Sequence, residues 1–133
     1  MTKQTLLALD VGEKRIGVAV ADTSVKIAIA YDTVQVDGTE IEQIARIIGL
    51  EGAGKVIIGY PRNQQGETTK QTEFVEQFAQ QLKDIAPEIV FQDESLTSVK
   101  AEEFLKRQKK PYEKGDVDAL AASFILQDYL ETN

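Results

Sequence analysis

The run Leu6-Leu7-Ala8-Leu9-Asp10-Val11-Gly12-Glu13-Lys14-Arg15-Ile16-Gly17-Val18-Ala19-Val20-Ala21-Asp22 decides how this chain is read. Leu6 to Leu9 is an apolar stretch that belongs to a buried strand, Thr5 to Asp10. Ile16 to Ala21 is a second strand. The link between them is a tight turn that includes Gly12, too short for a crossover, so the two strands pair antiparallel. An acid at the end of a hydrophobic strand is costly unless something positive meets it. Asp10 therefore reads in two ways, as a cation ligand or as a strand-end acid that accepts backbone hydrogen bonds from the following turn.

Working outward, Ala28 to Val36 alternates loosely and gives a third strand. Thr39 to Glu42 has a capping-box pattern. Ile41, Ile44, Ala45 and Ile48 then mark one face of a helix, which Gly49, Gly52 and Gly54 bring to an end. Lys55 to Tyr60 is a buried strand that returns parallel to a neighbour. Pro61 to Thr69 is a polar loop, and Thr68-Thr69-Lys70-Gln71 offers a second capping box. Phe74, Val75, Phe78, Leu82 and Ile85 carry the next helix as far as Pro87. Glu88 to Gln92 is the last strand. Thr97 opens a helix bearing Ala101, Phe104, Leu105 and Gln108, and Pro111 stops it. The final helix runs from about Asp116 to Leu130.

The order β-β-β-α-β-α-β-α-α predicts an α/β domain. Its sheet is mixed and five-stranded, the first three strands antiparallel, with helices on both faces. This is the order of a ribonuclease-H-like domain. A flavodoxin-like fold needs a helix between the first two strands, where there is no room. Residues 1–133 are expected to form one such domain.

Composition removes many chemistries. The chain of 133 residues has neither cysteine nor histidine. Disulfides, thiol nucleophiles, Cys/His zinc sites and histidine general bases are all excluded. Hydrolysis would have to run on carboxylates, Lys, Tyr or hydroxyls. Oxygen ligands favour Mg²⁺ or Mn²⁺. No apolar stretch is long enough to span a membrane and no secretory leader pattern stands out, so a cytoplasmic protein is expected.

Three acids have comparable settings. Asp10 ends the first strand, and Glu94 follows the apolar Ile89-Val90-Phe91 strand. Asp118 shares the spacing i, i+4, i+7, i+11 with Ala122, Ile125 and Tyr129, which puts it on the core-facing stripe of the last helix. The small Ala119, Ala121 and Ala122 let that helix approach closely. Asp116 reads as the N-cap and Asp118 as the ligand. Asp93 competes with Glu94, since strand alternation sends neighbouring side chains to opposite faces. Three carboxylates brought together repel unless a divalent cation joins them.

The net charge of −7 weighs against simple nucleic-acid binding. The segment Lys100 to Lys114, however, carries six basic and three acidic residues. Lys106, Arg107, Lys109 and Lys110 are candidate phosphate contacts there, or simply a solvated helix end. Lys14 and Arg15 flank the first turn, where Gly12 allows close backbone approach. Arg62 and Asn63 lie in the polar loop. These are the candidate substrate-binding residues; the alternative reading is a solvated turn for Lys14 and Arg15, and for Arg62 and Asn63 plain polar surface is the leading one.

Four motifs in order resemble the YqgF/RuvX family, across nearly the whole chain. They are Leu9 to Asp22; Gly59-Tyr60-Pro61-Arg62-Asn63 with Gly66 and Thr68; Asp93-Glu94-Ser95-Leu96-Thr97-Ser98-Val99-Lys100-Ala101; and Val117-Asp118-Ala119-Leu120-Ala121-Ala122 followed by Ile125 to Leu130. The resemblance implies a metal-dependent endonuclease that matures the 5′ end of precursor 16S rRNA. It makes Asp10, Glu94 and Asp118 the catalytic acids and metal ligands, with Mg²⁺ or Mn²⁺ as cofactor. The partner is RNA, within a ribosomal particle or free, and the expected state is a monomer or weak homodimer. Alternatives are a Holliday junction resolvase acting on branched DNA and a non-catalytic RNA-binding assembly factor. The chain departs from the family pattern at Ser95, where Arg is common, at Ser98 and at Arg62.

Overall fold

The computed structural model describes residues 4–63, 65–94, 103–108 and 113–132. Five strands form one sheet: β1 (Thr5–Val11), β2 (Arg15–Asp22), β3 (Ile29–Gln35), β4 (Ala53–Pro61) and β5 (Ile89–Glu94). Their order across the sheet is β3-β2-β1-β4-β5. The first three strands are antiparallel, while β4 lies parallel to both β1 and β5. The mixed five-stranded sheet expected from the sequence is the one observed.

Among the described residues the sheet is covered by α1 (Glu40–Glu51), α2 (Lys70–Leu82) and α3 (Lys114–Thr132). Strand alternation separates two apolar cores. Leu7, Leu9, Ile16, Val18, Val56 and Ile58 face α1 and α2, meeting Ile44, Val75, Phe78 and Leu82. Leu6, Ala8, Ala19, Ala21 and Ile57 face the other way and meet Ala122, Ile125, Leu126 and Leu130 of α3. Each fully buried Leu or Ile contributes about 1.5–3 kcal/mol. The α3 side of β1 and β2 is lined largely by Ala and Gly, so the long helix lies close to the strands.

Local details differ from the sequence reading. Thr39 precedes α1 but makes no side-chain cap. Its hydroxyl donates to Asp37 Oδ1 at 2.6 Å, so Asp37 orders this turn. The second capping box is one residue later than expected, between Thr69 and Thr72. The Thr72 hydroxyl also donates to the Pro61 carbonyl, which ties the start of α2 to the end of β4. α3 begins at Lys114, two residues earlier than expected, so Asp116 lies inside its first turn. The Asp116 carboxylate accepts from the Glu113 backbone N–H at 2.9 Å. Of the helix expected after Thr97, residues 103–107 are helical. Thr97, Ala101 and Pro111 lie outside the described residues.

Candidate nuclease site

The parallel strands β1, β4 and β5 all end at one edge of the sheet, and Asp10 is at the end of β1. Its neighbours of the same parity, Leu6 and Ala8, pack on the α3 core, which places position 10 on the α3 face. Asp10 pairs in register with Gly17 on β2, and Gly17 pairs with Thr33 on β3. The first turns of α3 cross this row. The Thr33 hydroxyl donates to the Gly115 carbonyl at 2.5 Å. One turn on, the Asp118 backbone lies directly against Gly17. A Cβ at Gly17 would overlap the Asp118 carbonyl and stand 2.9 Å from the Ala119 nitrogen.

That contact brings Asp118 to the row that holds Asp10. The sequence pattern Asp10-x-Gly12-x-x-x-x-Gly17 therefore has a structural logic. Gly12 allows the hairpin to close, since a Cβ there would meet the Arg15 carbonyl at 2.7 Å. Its N–H donates to that carbonyl at 3.0 Å, leaving Glu13 and Lys14 as the loop. Gly17 admits the helix. The small residues Ala119, Ala121 and Ala122 are the sequence signal for such a close helix–sheet contact. Choosing which glycine they meet requires the register.

Arg15 has the same parity as Gly17 and points to the same face. Its Nε donates to Asp118 Oδ2 at 2.6 Å, with the two side chains 29% and 20% exposed. The Asp118 carboxylate thus already has a cationic partner, and Arg15 is engaged inside the protein. Lys14 is exposed in the hairpin loop. Gln71, at the start of α2, donates from Nε2 to the Val11 carbonyl at 3.1 Å and fixes the end of β1 beside Asp10. Sequence periodicity does not single out Gln71, because a polar residue in a first helical turn is unremarkable by pattern.

Glu94 is the last residue of β5, in register with Pro61. Its side chain lies outside the described residues, as do Lys109 and Lys110. Asp93, its competitor, is on the other parity and holds Arg62 Nε at 3.0 Å. Arg62 also donates to the Gly66 carbonyl and stacks over the Tyr60 ring at 4.8 Å. Asn63 is spent on its own loop, its Oδ1 accepting from the Gln65 and Glu67 N–H groups. Lys106 and Arg107 are exposed on the short helix over residues 103–107. That helix meets α3 through an edge-to-face contact of Phe104 with Phe124.

Among the described residues no group of three His, Cys, Asp or Glu side chains stands within reach of one metal ion. Of the three candidate acids, Asp10 and Asp118 have described side chains, and their carboxylate oxygens are of the kind a hard divalent cation takes. The cation that meets the Asp118 carboxylate in this structure is the Arg15 guanidinium. Among the described residues no helix is long and apolar enough to cross a membrane.

Comparison with known proteins agrees with this architecture. The family model described as "RuvX: Holliday junction resolvase" matches residues 4–132. A protein of Chloroflexus aurantiacus named "Putative pre-16S rRNA nuclease" is 42% identical over 98% of this chain and 89% of its own length. A relative of the same name from Sulfurihydrogenibium sp. is 39% identical over 95% of this chain and 89% of its own. Among solved structures, Thermus thermophilus RuvC in complex with a Holliday junction substrate superposes with a TM-score of 0.57. At 14% identity, over 97% of this chain and 94% of that one, it shows a shared ribonuclease-H-like fold. The full-length family match and the identity to these relatives establish that the chain belongs to the RuvX family, of pre-16S rRNA nuclease and Holliday-junction-resolvase-like proteins.

Proposed function

We propose that this protein is a divalent-metal-dependent endonuclease that hydrolyses a phosphodiester at the 5′ end of precursor 16S rRNA. The observation that carries this reading is the junction of Asp10, Gly17 and Asp118. It supports the reading because the Asp118 backbone rests on Gly17, the register partner of Asp10. Glu94, at the neighbouring end of β5, would be the third. Asp10, Glu94 and Asp118 would hold Mg²⁺ or Mn²⁺, which supplies a water of lowered pKa and neutralises charge on the phosphate. The chain's own contribution is placement. The β1–β2 hairpin and Gln71 fix Asp10, and the Gly17 contact fixes Asp118. Arg15 holds the Asp118 carboxylate in place through their ion pair. Lys14, Lys106, Arg107, Lys109 and Lys110 would contact the RNA backbone. The acidic surface fits a substrate positioned by a ribosomal particle rather than by bulk attraction.

A Holliday junction resolvase with the same chemistry is the second reading. It is favoured by the family description and by the junction-bound neighbour. Cleavage of labelled precursor-16S RNA and of a four-way DNA junction, each with Mn²⁺, Mg²⁺ or EDTA, separates the two. RNA cutting that needs metal and falls at least about a thousandfold in Asp10→Asn is the expected result, given several kcal/mol of lost charge stabilisation. Symmetric cutting of the junction in preference to RNA would replace the first reading by the second. Cleavage of neither, with RNA bound equally by both proteins, would leave a non-catalytic assembly factor.

A further inference from the structure

The opposite face of the same sheet edge carries an aromatic arrangement that the carboxylate chemistry does not use. Phe91 is 43% exposed although it sits in a strand. Its ring lies 5.0 Å from that of Tyr60, tilted by 58°. The Arg62 guanidinium covers the Tyr60 ring at 4.8 Å. Three planar groups thus stand side by side around an open recess of 460 Å³ lined also by Glu76, Gln92 and Asp93. The arrangement is held from several sides. Tyr60 donates its hydroxyl to Glu76 Oε1 at 3.1 Å, and Asp93 fixes Arg62.

The charge of the recess selects among ligands. The lining cation, Arg62, is already paired with Asp93, and Glu76 adds a second carboxylate, so a phosphate is disfavoured there. A flat, neutral ring that carries N–H donors is favoured. It can stack on Phe91 and donate to the carboxylates at the rim. The outer backbone of β5, an edge strand, offers further donors and acceptors. Strands are spaced about 4.8 Å apart, so β5 lies about 10 Å across the sheet from β1 and Asp10. Phe91 shares the face of its register partner Ile58, opposite to that of Asp10, so a single strand joining the two must also pass round the carboxyl ends of the strands.

We infer that Phe91, Tyr60 and Arg62 form a stacking subsite for one unpaired base of single-stranded RNA, with a preference for bases bearing an exocyclic amino group. The inference rests on the nuclease reading for its ligand class. RNA whose backbone lies over Asp10 and Asp118 would fold over the carboxyl edge of the sheet and seat a base further along the strand on Phe91.

The test is binding of short labelled oligo(C) and oligo(U) RNA, followed by fluorescence anisotropy. The full chain carries Asp10→Asn and is kept in EDTA so that no strand is cut. Oligo(C) should bind more tightly than oligo(U), because cytosine has the amino donor. Phe91→Ala should weaken oligo(C) binding by about tenfold and erase that preference, a loss typical of one base–aromatic stack. Phe91→Trp should restore both. Phe91 is exposed, and an unchanged melting temperature checks that the alanine variant is folded. Phe91→Ala binding oligo(C) as tightly as its parent would overturn the subsite, as would a base-free spacer oligomer equally sensitive to Phe91. Normal metal-dependent cleavage with binding indifferent to Phe91 removes the subsite alone. Binding through Phe91 without any cleavage removes the nuclease reading alone.

Discussion

The Asp118 backbone rests on Gly17, and this contact sets how far α3 stands from the sheet. A single methyl at Gly17 would overlap the Asp118 carbonyl, a backbone atom that cannot swing away as a side chain could. Gly17→Ala should therefore push the first turns of α3 outward and destabilise the fold by about 3 kcal/mol, the upper end for overpacking. Urea unfolding measures this. Gly49 is the control. It is exposed in α1, and a methyl there would meet no atom within 4 Å, so Gly49→Ala should stabilise by about 0.5–1 kcal/mol.

The Arg15–Asp118 ion pair is partly exposed, so its contribution is screened. A double-mutant cycle of Arg15→Gln and Asp118→Asn should give a coupling of about 1 kcal/mol or less, decreasing as salt is raised. A coupling that ignores salt would mean that packing of the arginine stem, rather than charge, is what the variants remove.

Under the proposed function, Mg²⁺ or Mn²⁺ binds the folded chain in preference to the unfolded one. At a hundredfold excess over Kd the ion should add about 2.7 kcal/mol to stability. The rise in Tm should disappear in Asp10→Asn and in Asp118→Asn. Retention of the full rise in both variants would place the ion elsewhere.

Stability should decline at alkaline pH. The Tyr129 hydroxyl beside the Lys55 ammonium raises that group above its ordinary 10.5. Partial burial and the Glu76 carboxylate raise the Tyr60 phenol above 10.0. Both folded-state values lie above the unfolded ones, so folding favours the protonated forms. Their contribution is complete below about pH 10 and is lost as pH rises through the folded values. Urea midpoints taken from about pH 8 to about pH 11 should fall, and Lys55→Met should lessen the fall.

The capping box at α2 gives a further measurable effect. Thr69→Ala removes the acceptor for the Thr72 N–H and should cost about 1 kcal/mol. Because Thr72 also bonds the Pro61 carbonyl, Thr72→Val should cost more than Thr69→Ala.

Much of the fold is legible in the sequence because its signals are local. Leu6 to Leu9 and Val56 to Ile58 are apolar runs of strand length, the Glu13-Lys14 loop is too short for anything but a hairpin, and Ile41, Ile44 and Ile48 repeat at helical spacing. Asp10, and the stripe that carries Asp118, can be read for the same reason. What the chain does not show by itself depends on contacts between residues far apart in number. Arg15 and Asp118 are 103 positions apart, and only the packing of α3 on β2 turns a candidate phosphate contact into an internal ion pair. Arg62 becomes a ring-stacked partner of Asp93 only once β4 and β5 lie side by side. Periodicity specifies which face of an element is apolar. The register and the close approach of α3 at Gly17 decide which polar groups on those faces meet, because only there do backbone sterics and charge act across the sheet.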